Sequence, residues 1–574
     1  MADGLPRNSE LAAQFDLLAD LMELEGEDGF RIGAYRRAAA RIRETPSSVA
    51  KLALEGRAKE LHGIGKTIEE KIVEVTRDGE IRALAKRKAV VPAEVTSFMR
   101  LPGLGPKTAR RLWKELGITT VDALRAAAEA HQLRSLGGLG PKSEEKILTS
   151  LRLLGSATDQ RDVERRVLLG NALPRLHATV AALAAHPAAE QVSLAGSARR
   201  YRETVRDLDL IATATDPAAL LQAFCGLPWV VEVATHGPTK ATVVSQEGFR
   251  FDLRVVPPES YGNLLQHFTG SKAHNVALRE AAVRRGLSVS EYGITEAESG
   301  LVHAFATEEE VYAFLGYEWI PPELREDLGE LDAARRGELP RLVELRDLRG
   351  DLHTHTTWSD GKDALEVMVA RAAARGYEFY AVTDHSQRLR DGRMQQQDDQ
   401  IDVLQERFQL RILKGVEVNI RADGELDLSD EELATRDWVV ASVHHSLDRS
   451  PTERVLAAME SPYVDCIGHV TSRKIGRRSP TALDLERVIE QALATGTFLA
   501  INSQPDRLDL SDVHARAARE AGLKLVVDSD GHQLSALDHV ELGIGQARRA
   551  WLTKDDVVNT RTWKQIERLR KRRP

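Results

Sequence analysis

The spacing of apolar and polar positions divides the chain into regimes. Through residues 5–155 apolar positions recur at helical spacing, broken by short glycine turns, which predicts an all-helical segment. An amphipathic helix over residues 160–185 follows, and then the period changes. Residues 190–195 read as a short strand, and Phe249-Arg-Phe-Asp-Leu-Arg-Val-Val256 alternates strictly between apolar and polar positions. Residues 321–340 are polar, proline-bounded and rich in charge, the pattern of a linker with one short helix. Beyond residue 346 short apolar runs alternate with helical stretches, and nearly every run ends in His, Asp or Glu. That predicts a parallel β/α barrel with a site at the strands' carboxyl ends.

The strand at 190–195 leads into Gly196-Ser197-Ala198-Arg199-Arg200, a turn in which backbone N–H groups can approach a phosphate. Asp207-Leu-Asp209-Leu follows. On a strand the two carboxylates share one face while the leucines take the other. Two carboxylates side by side repel, and they make sense around divalent cations, the usual clamp for in-line phosphoryl transfer. Asp252 supplies a third carboxylate on the polar side of its strand, with Arg250 and Arg254 beside it to offset the negative charge. A lone Asp-x-Asp is no more than a solvated strand end; the glycine turn, the paired arginines and the third Asp together point to a site.

In the helical segment one pattern occurs three times: Leu61-His-Gly63-Ile-Gly65, Leu101-Pro-Gly103-Leu-Gly105 and Leu136-Gly-Gly138-Leu-Gly140. Each opens a helix whose first turn carries a lysine, Lys66, Lys107 or Lys142. Such hairpins aim uncommitted N–H groups outward, a cradle for phosphate that reads no base sequence. In the barrel region the polar groups are His353 and His355, Asp360, Asp384-His385, Glu417, His444-His445, His469, and Asp528 through Asp530 to His532. So many imidazole and carboxylate donors at one barrel mouth exceed the needs of a single ion and fit two or three of Mn²⁺, Fe²⁺ or Zn²⁺, which activate water and clamp a phosphate ester.

Composition narrows the context. At 574 residues the chain has room for three to five domains. Its net charge of −8 argues against nucleic acid if taken whole, yet residues 1–155 hold 26 Lys and Arg against 22 Asp and Glu, so this part is +4 and the remainder −12. The two cysteines, Cys225 and Cys466, form no motif, which disfavours a Zn–Cys site and suits a reducing compartment. No apolar run reaches membrane length and the first ten residues are no signal peptide, so no membrane association and a cytoplasmic, nucleoid-associated protein are expected.

The Gly196-Ser197, Arg199-Arg200, Asp207-x-Asp209 and Asp252 set resembles the nucleotidyltransferase palm of a family X DNA polymerase. The resemblance implies that Asp207 and Asp209 bind two metals, Mg²⁺ or Mn²⁺, that Asp252 binds the catalytic one and helps activate the primer 3′-hydroxyl, and that Gly196, Ser197 and Arg200 hold the triphosphate. It further places His267, Phe268 and Gly270 near the incoming sugar, Lys272 on the nucleotide and Asn275 at the base's minor-groove edge. His267 stands where many relatives have Tyr. The three hairpins resemble helix-hairpin-helix DNA-binding motifs. In the first, Lys71 matches the Schiff-base lysine of the family's lyase domain, although helper lysines of some relatives are Thr67 and Ala83 here; a lysine contacting phosphate is the alternative. The order of barrel residues resembles a PHP (polymerase and histidinol phosphatase) domain, whose ligands by position are His353, His355, Asp360, His385, Glu417, His444, His469, Asp530 and His532. Val470 and Ala500 depart from the pattern, standing where relatives usually have Pro and Glu.

These resemblances imply a multidomain α/β fold. Its parts are a helical lyase-like domain over 1–88, helix-hairpin-helix fingers over 89–157, a mixed α+β palm over 158–259, a thumb over 260–320, a linker over 321–345 and a distorted (β/α)7 PHP barrel over 346–574. The implied activity is gap filling on gapped, nicked or primed double-stranded DNA with dNTPs, joined to a 3′-to-5′ exonuclease or 3′-end phosphoesterase, by a monomer. The alternatives are a PHP nuclease whose polymerase half only positions DNA, and a non-catalytic DNA-end tether.

Overall fold

The structure is a computed structural model that describes residues 5–571, apart from 7, 46, 62, 93–94, 99–103, 105, 137–139, 141–143, 146 and 149–165. It divides into two compact units, Met1–Arg165 and Arg166–Pro574. Gly103, Gly105, Gly138 and Lys142 lie outside the described residues, as does the start of the helix expected from residue 160, and nothing of the Lys107 side chain is described.

The first unit is helical, as its spacing predicts. Helices Asn8–Glu25, Gly29–Glu44, Lys66–Asp78 and Pro106–Leu116 share one apolar core with the shorter helices between them. In the first hairpin Gly63 takes a left-handed φ of 84° and Gly65 caps the helix that begins at Lys66. The N–H groups opening that helix have no partner within it. Gly140 stands at the head of the third hairpin and accepts the Glu144 N–H at 3.1 Å.

In the second unit a five-stranded sheet carries the expected palm. Its strands are β1 (Ala189–Leu194), β2 (Asp207–Ala214), β3 (Val230–His236), β4 (Lys240–Ser245) and β5 (Arg250–Val255), in the order β1-β2-β5-β4-β3. Leu208, Leu210, Phe251 and Leu253 face the helices Leu169–Ala184 and Pro217–Cys225 across a buried layer, which leaves the alternate positions for polar groups. Helix Tyr261–Thr269 and helix Lys272–Val283 follow, then a small antiparallel sheet of β6 (Leu287–Ser290), β7 (Gly293–Glu296) and β8 (Val302–His303).

The charge-rich run from 321 to 340 is packed rather than loose. Leu324, Ala333 and Ala334 enter the core of this small domain, and Glu323, Arg325 and Glu330 are buried. Arg325 donates to Glu308 at 2.6 and 3.1 Å, Glu330 lies 2.6 Å from His274 Nδ1, and Arg548 donates to Glu323 at 2.7 Å. Composition alone does not separate charges that are solvated from charges that are buried in pairs.

Seven strands then run parallel in chain order: β9 (Gly350–Asp351), β10 (Phe379–Val382), β11 (Arg411–Asn419), β12 (Trp438–Ser442), β13 (Cys466–Ile467), β14 (Phe498–Asn502) and β15 (Leu525–Asp528). A parallel bridge from Thr354 to Gly531 joins the ends of β9 and β15, so the sheet closes into a barrel. Phe379, Ala381, Leu413, Trp438, Val440, Phe498, Ala500 and Val526 fill its interior, while Tyr380, Val382, Val439, Leu499 and Val527 face the outer helices. The basic tail that begins at Trp563 packs through its apolar positions: Trp563 and Ile566 of helix Trp563–Leu569 join the interior cluster, and the Trp563 ring packs 5.9 Å from Phe379.

Candidate active sites

The palm site is set by register. Strands β2 and β5 pair in parallel, although β3 and β4 intervene in sequence, and the pairing puts Asp209 directly opposite Asp252 with Asp207 opposite Arg250. All three carboxylates project from the polar face that the buried leucines leave free. Asp252 accepts from the Thr242 hydroxyl at 2.5 Å and has Arg250 at 3.6 Å, while Asp207 accepts from Arg206 at 3.0 Å. Asp209 makes no ion pair among the described residues, and Arg254 and Arg200 act on it only from farther away. Burial, and then the charges of Asp252 and Asp207, push its pKa from an ordinary 3.8 up to about 6. Among the described residues the ligand atoms of the three do not close to within 4.8 Å of one another, as expected of like charges with no cation between them.

Gly196 adjoins Asp209 from the side. Its φ is 63°, and a Cβ there would collide with the Asp209 carboxylate, so both the backbone conformation and the close approach require glycine. Residues Gly196–Arg199 form one helical turn. Arg199 is committed to structure, donating to Glu308 at 2.9 and 2.8 Å and to Thr269 at 2.7 Å. Arg200 donates to Glu326 at 3.0 Å and to the Thr269 carbonyl, and thereby touches the turn at Gly270, where φ is 68°. Arg254 stacks 4.3 Å above the Phe268 ring. Asn275 accepts from Gln266 at 2.9 Å and donates to the His267 carbonyl at 2.8 Å, which leaves one amide hydrogen uncommitted. His267 lies 3.0 Å from Arg279, and burial pushes its pKa down. Lys272 is exposed in the first turn of its helix.

The barrel site is reached by the inward period of its strands. Leu413, Gly415 and Glu417 alternate along β11, and the same two-residue step runs from Phe379 and Ala381 through Thr383 to His385, from Trp438 and Val440 through Ser442 to His444, and from Val526 through Asp528 and Asp530 to His532. Apolar layers thus give way to imidazole and carboxylate groups at the carboxyl end. Glu417 is the hub: one oxygen lies 2.9 Å from His385 and 3.5 Å from both His353 and His355, the other 3.4 Å from His444 and His469. His355 lies 3.2 Å from Asp530, and His532 and His385 lie 3.3 and 3.6 Å from Asp360. All nine positions expected as ligands converge here. Three groups of them gather ligand atoms within 4.8 Å: His355, Asp360, His385 and His532; His353, His355 and Asp530; and His385, Glu417 and His444.

The protein's own atoms leave this cluster unsatisfied. Both ring nitrogens of His353 and His355, Nδ1 of His385 and of His469, and one Glu417 oxygen are buried without a hydrogen-bond partner. Buried polar atoms are rarely left so, and donors of this kind suit divalent transition metals. Electrostatics agrees. Burial opposes charge on His353, yet Glu417 and Asp530 outweigh it and hold the pKa up at about 10; His385 is likewise raised to about 11, chiefly by Glu417. Burial pushes His355 down to about 3, helped by His532, and His469 down to about 3, helped by Arg507. The negative charge that keeps protons on His353 and His385 is the charge a cation would offset on displacing them.

Several residues that carry this geometry escaped the sequence reading. Asn419 donates to Asp427 at 2.9 Å, so its carbonyl oxygen faces His444 Nδ1 at 2.6 Å; the ring carries its proton there and Nε2 is free as a ligand. Asn502 donates to Asp530 at 2.8 Å, and Gln504 to the Ser529 and Asp530 carbonyls at 2.9 and 2.6 Å. Arg507, on the same loop, makes no ion pair among the described residues, and its Nη1 is buried without a partner. The only signal in the sequence is that all lie within a few residues of a strand end. Asp384 accepts from Thr356, Ser359 and Gln397 and so fixes the loop that presents Asp360.

A palm with three carboxylates on adjacent strands, joined to a closed barrel with a polynuclear donor set, defines a class of protein with two phosphoryl-chemistry centres. The chain belongs to the family X DNA polymerases that carry a PHP domain. It is 37% identical over 569 residues to the DNA polymerase/3′-5′ exonuclease PolX of Bacillus subtilis (strain 168), covering 97% of this chain and 98% of that protein. Family models match as a helix-hairpin-helix domain over residues 6–81, a SAM-like helix-hairpin-helix tandem over 95–153, a DNA polymerase beta thumb over 264–326 and a PHP domain over 351–526. The chain is also 30% identical over 239 residues to a probable phosphatase of Thermoanaerobacter sp. (strain X514), covering 39% of the chain and 95% of that protein. With the human DNA-directed DNA/RNA polymerase mu it shares 27% identity over 355 residues, 55% of this chain and 69% of that protein.

Proposed function

We propose that this chain is a DNA polymerase that fills short gaps during repair, in the cytoplasm alongside the nucleoid, and that its barrel removes nucleotides or phosphate from 3′ ends. The observation that carries the reading is the presence on one chain of two separate donor sets, Asp207, Asp209 and Asp252 in the palm and, in the barrel, Glu417 with the eight histidines and aspartates around it. Divalent ions, Mg²⁺ or Mn²⁺ in the palm and two or three of Mn²⁺, Zn²⁺ or Fe²⁺ in the barrel, supply charge stabilisation for in-line displacement at phosphorus and lower the pKa of attacking water.

The rest is done by the chain's own residues. The backbone of the Gly196 turn, the Ser197 hydroxyl and Arg200 hold the triphosphate; Asp252 helps take the proton of the primer 3′-hydroxyl. His267, Phe268 and the Gly270 turn bound the sugar, Lys272 meets the nucleotide, and the spare amide hydrogen of Asn275 faces the base. In the barrel Asp530 and Glu417 keep the histidines oriented, and the unpaired Arg507 receives the phosphate of the bound 3′ end. Gapped, nicked or primed duplex is gripped without base readout by Gly63, Gly65 and Lys66, with Gly103, Gly105, Lys107, Gly138, Gly140 and Lys142 repeating the contact. Lys71 is half-buried on the Lys66–Asp78 helix and makes no ion pair among the described residues, which suits a Schiff-base nucleophile for an abasic sugar. Borohydride trapping of an incised abasic substrate, lost in Lys71→Ala, tests that role.

The main reading is tested with a labelled primer in a one-nucleotide gap, Mn²⁺ and dNTP. Asp252→Ala is expected to abolish extension and leave shortening intact. Extension at the wild-type rate by Asp252→Ala, or no extension by the wild type, would reject it.

A further inference from the structure

Arg200 is held by a largely buried chain of charges, fully buried only at Arg549, that leads out of the palm and into the barrel domain. Its Nε donates to Glu326 at 3.0 Å and its Nη1 to the Thr269 carbonyl. The same Glu326 oxygen accepts from Nη1 of Arg549 at 2.9 Å, and that nitrogen also donates to the Arg200 main-chain carbonyl at 2.9 Å. Arg549 ends the barrel helix Val540–Arg549, is 5% exposed, and is anchored by Asp512 at 2.9 and 2.6 Å. Arg200 and Arg549 therefore both hydrogen-bond Glu326, with Arg202 4.0 Å from the same oxygen, and Asp512 pairs with Arg549. Among the described residues Nη2 of Arg200 makes no hydrogen bond.

The next residue strengthens the link. Tyr201 takes a left-handed φ of 51°, its hydroxyl donates to Glu541 at 2.8 Å, and its ring lies against Gly545, where a Cβ would collide with it. A non-glycine residue keeps such a backbone only where its surroundings over-determine it. The barrel helix thus fixes the Arg200 carbonyl and the residue that follows it.

We propose that Arg549 is a positioning residue of the polymerase centre: by fixing Glu326 and the Arg200 backbone, it aims the uncommitted Nη2 of Arg200 at the phosphates of the incoming nucleoside triphosphate. The barrel domain is then a structural part of the nucleotide site, independent of its own chemistry. This inference rests on the reading of Arg200 as a triphosphate ligand.

The test is steady-state gap filling by the full chain, with the exonuclease measured in parallel. Arg549→Met is expected to raise KM for the dNTP about tenfold, the size of one misdirected charge-assisted hydrogen bond, with kcat and exonuclease rate changed less than about twofold. Arg549→Lys should recover part of the loss, and Glu326→Gln should reproduce it. Arg200→Ala serves as the reference and should raise KM at least as much. A KM unchanged in both Arg549→Met and Glu326→Gln, while Arg200→Ala raises it, overturns the inference alone. An unchanged KM in Arg200→Ala overturns the triphosphate reading and the inference together. If Arg549→Met loses the exonuclease too, Glu326→Gln, which keeps the shape and the acceptor, decides.

Discussion

The metal-free palm should be destabilised by the Asp209 carboxylate, and Asp209→Asn should remove the cost. Burial and the neighbouring Asp252 and Asp207 raise the Asp209 pKa from 3.8 to about 6. A carboxyl whose pKa is higher folded than unfolded binds its proton more tightly in the fold, so the fold is penalised once that proton must leave. The penalty is absent below pH 3.8, grows between 3.8 and about 6, and is complete above. At 1.36 kcal/mol per pKa unit it amounts to about 3 kcal/mol at pH 7.5 and about 1 kcal/mol at pH 4.5. Because part of the Asp209 shift comes from the charges of Asp252 and Asp207, these figures are upper bounds. In EDTA, thermal melting of Asp209→Asn at pH 7.5 should exceed wild type by roughly 2–6 °C, at roughly 2 °C per kcal/mol for a unit of this size, and the gain should shrink to about a third at pH 4.5. Mg²⁺ or Mn²⁺ should narrow the difference by stabilising only the wild type. An Asn variant no more stable than wild type at pH 7.5, or an equal gain at both pH values, would refute the reasoning.

Three further outcomes follow from particular contacts. Glu308 is buried between Arg325 and Arg199, which outweigh the burial and hold its pKa down at about 2; Glu308→Gln should cost about 3–5 kcal/mol at pH 7 by denaturant titration, a loss that fades as pH falls from 4.5 toward about 2. Asn419→Ala frees the His444 ring, so the Mn²⁺ concentration for half-maximal exonuclease activity should rise about 10- to 100-fold while primer extension is unaffected. Arg507→Met should raise the exonuclease KM for DNA about tenfold with extension again unchanged; equal loss of both activities would show that the residue serves the fold.

How far the sequence revealed this molecule depends on the range of the interaction. The palm strands and the convergence of polar groups at the barrel mouth were legible because strand geometry is local: alternation at 249–256 placed Asp252 on the polar side, and apolar runs ending in His385, Glu417 or His444 announced their own strand ends. The register of Asp209 against Asp252 was not legible, since two strands intervene before β5 pairs with β2. Asn419, Asn502 and Gln504 were invisible for a like reason: each acts through a partner that only the closed barrel brings near, and Arg507 stands out only by its Nη1, buried there without one. Segment 321–340 and the basic tail show the limit of composition. Glu323, Arg325 and Glu330 read as solvated charges until their partners Arg548, Glu308 and His274 are in place, and Trp563 hid a barrel plug within a run of lysines and arginines.

The central claim is that one chain carries two independent centres, and a primer with a mismatched 3′ nucleotide in a short gap tests it most directly. With Mn²⁺ and dNTPs the wild type should first shorten this primer and then extend it. The double variant Asp207→Ala and Asp209→Ala should stop at the shortened primer, and His353→Ala should fail to shorten it. The two variants mixed together should restore the extended product. If the mixture makes no product although each variant keeps its remaining activity on a matched substrate, or if either variant loses both activities, the two centres are not independent.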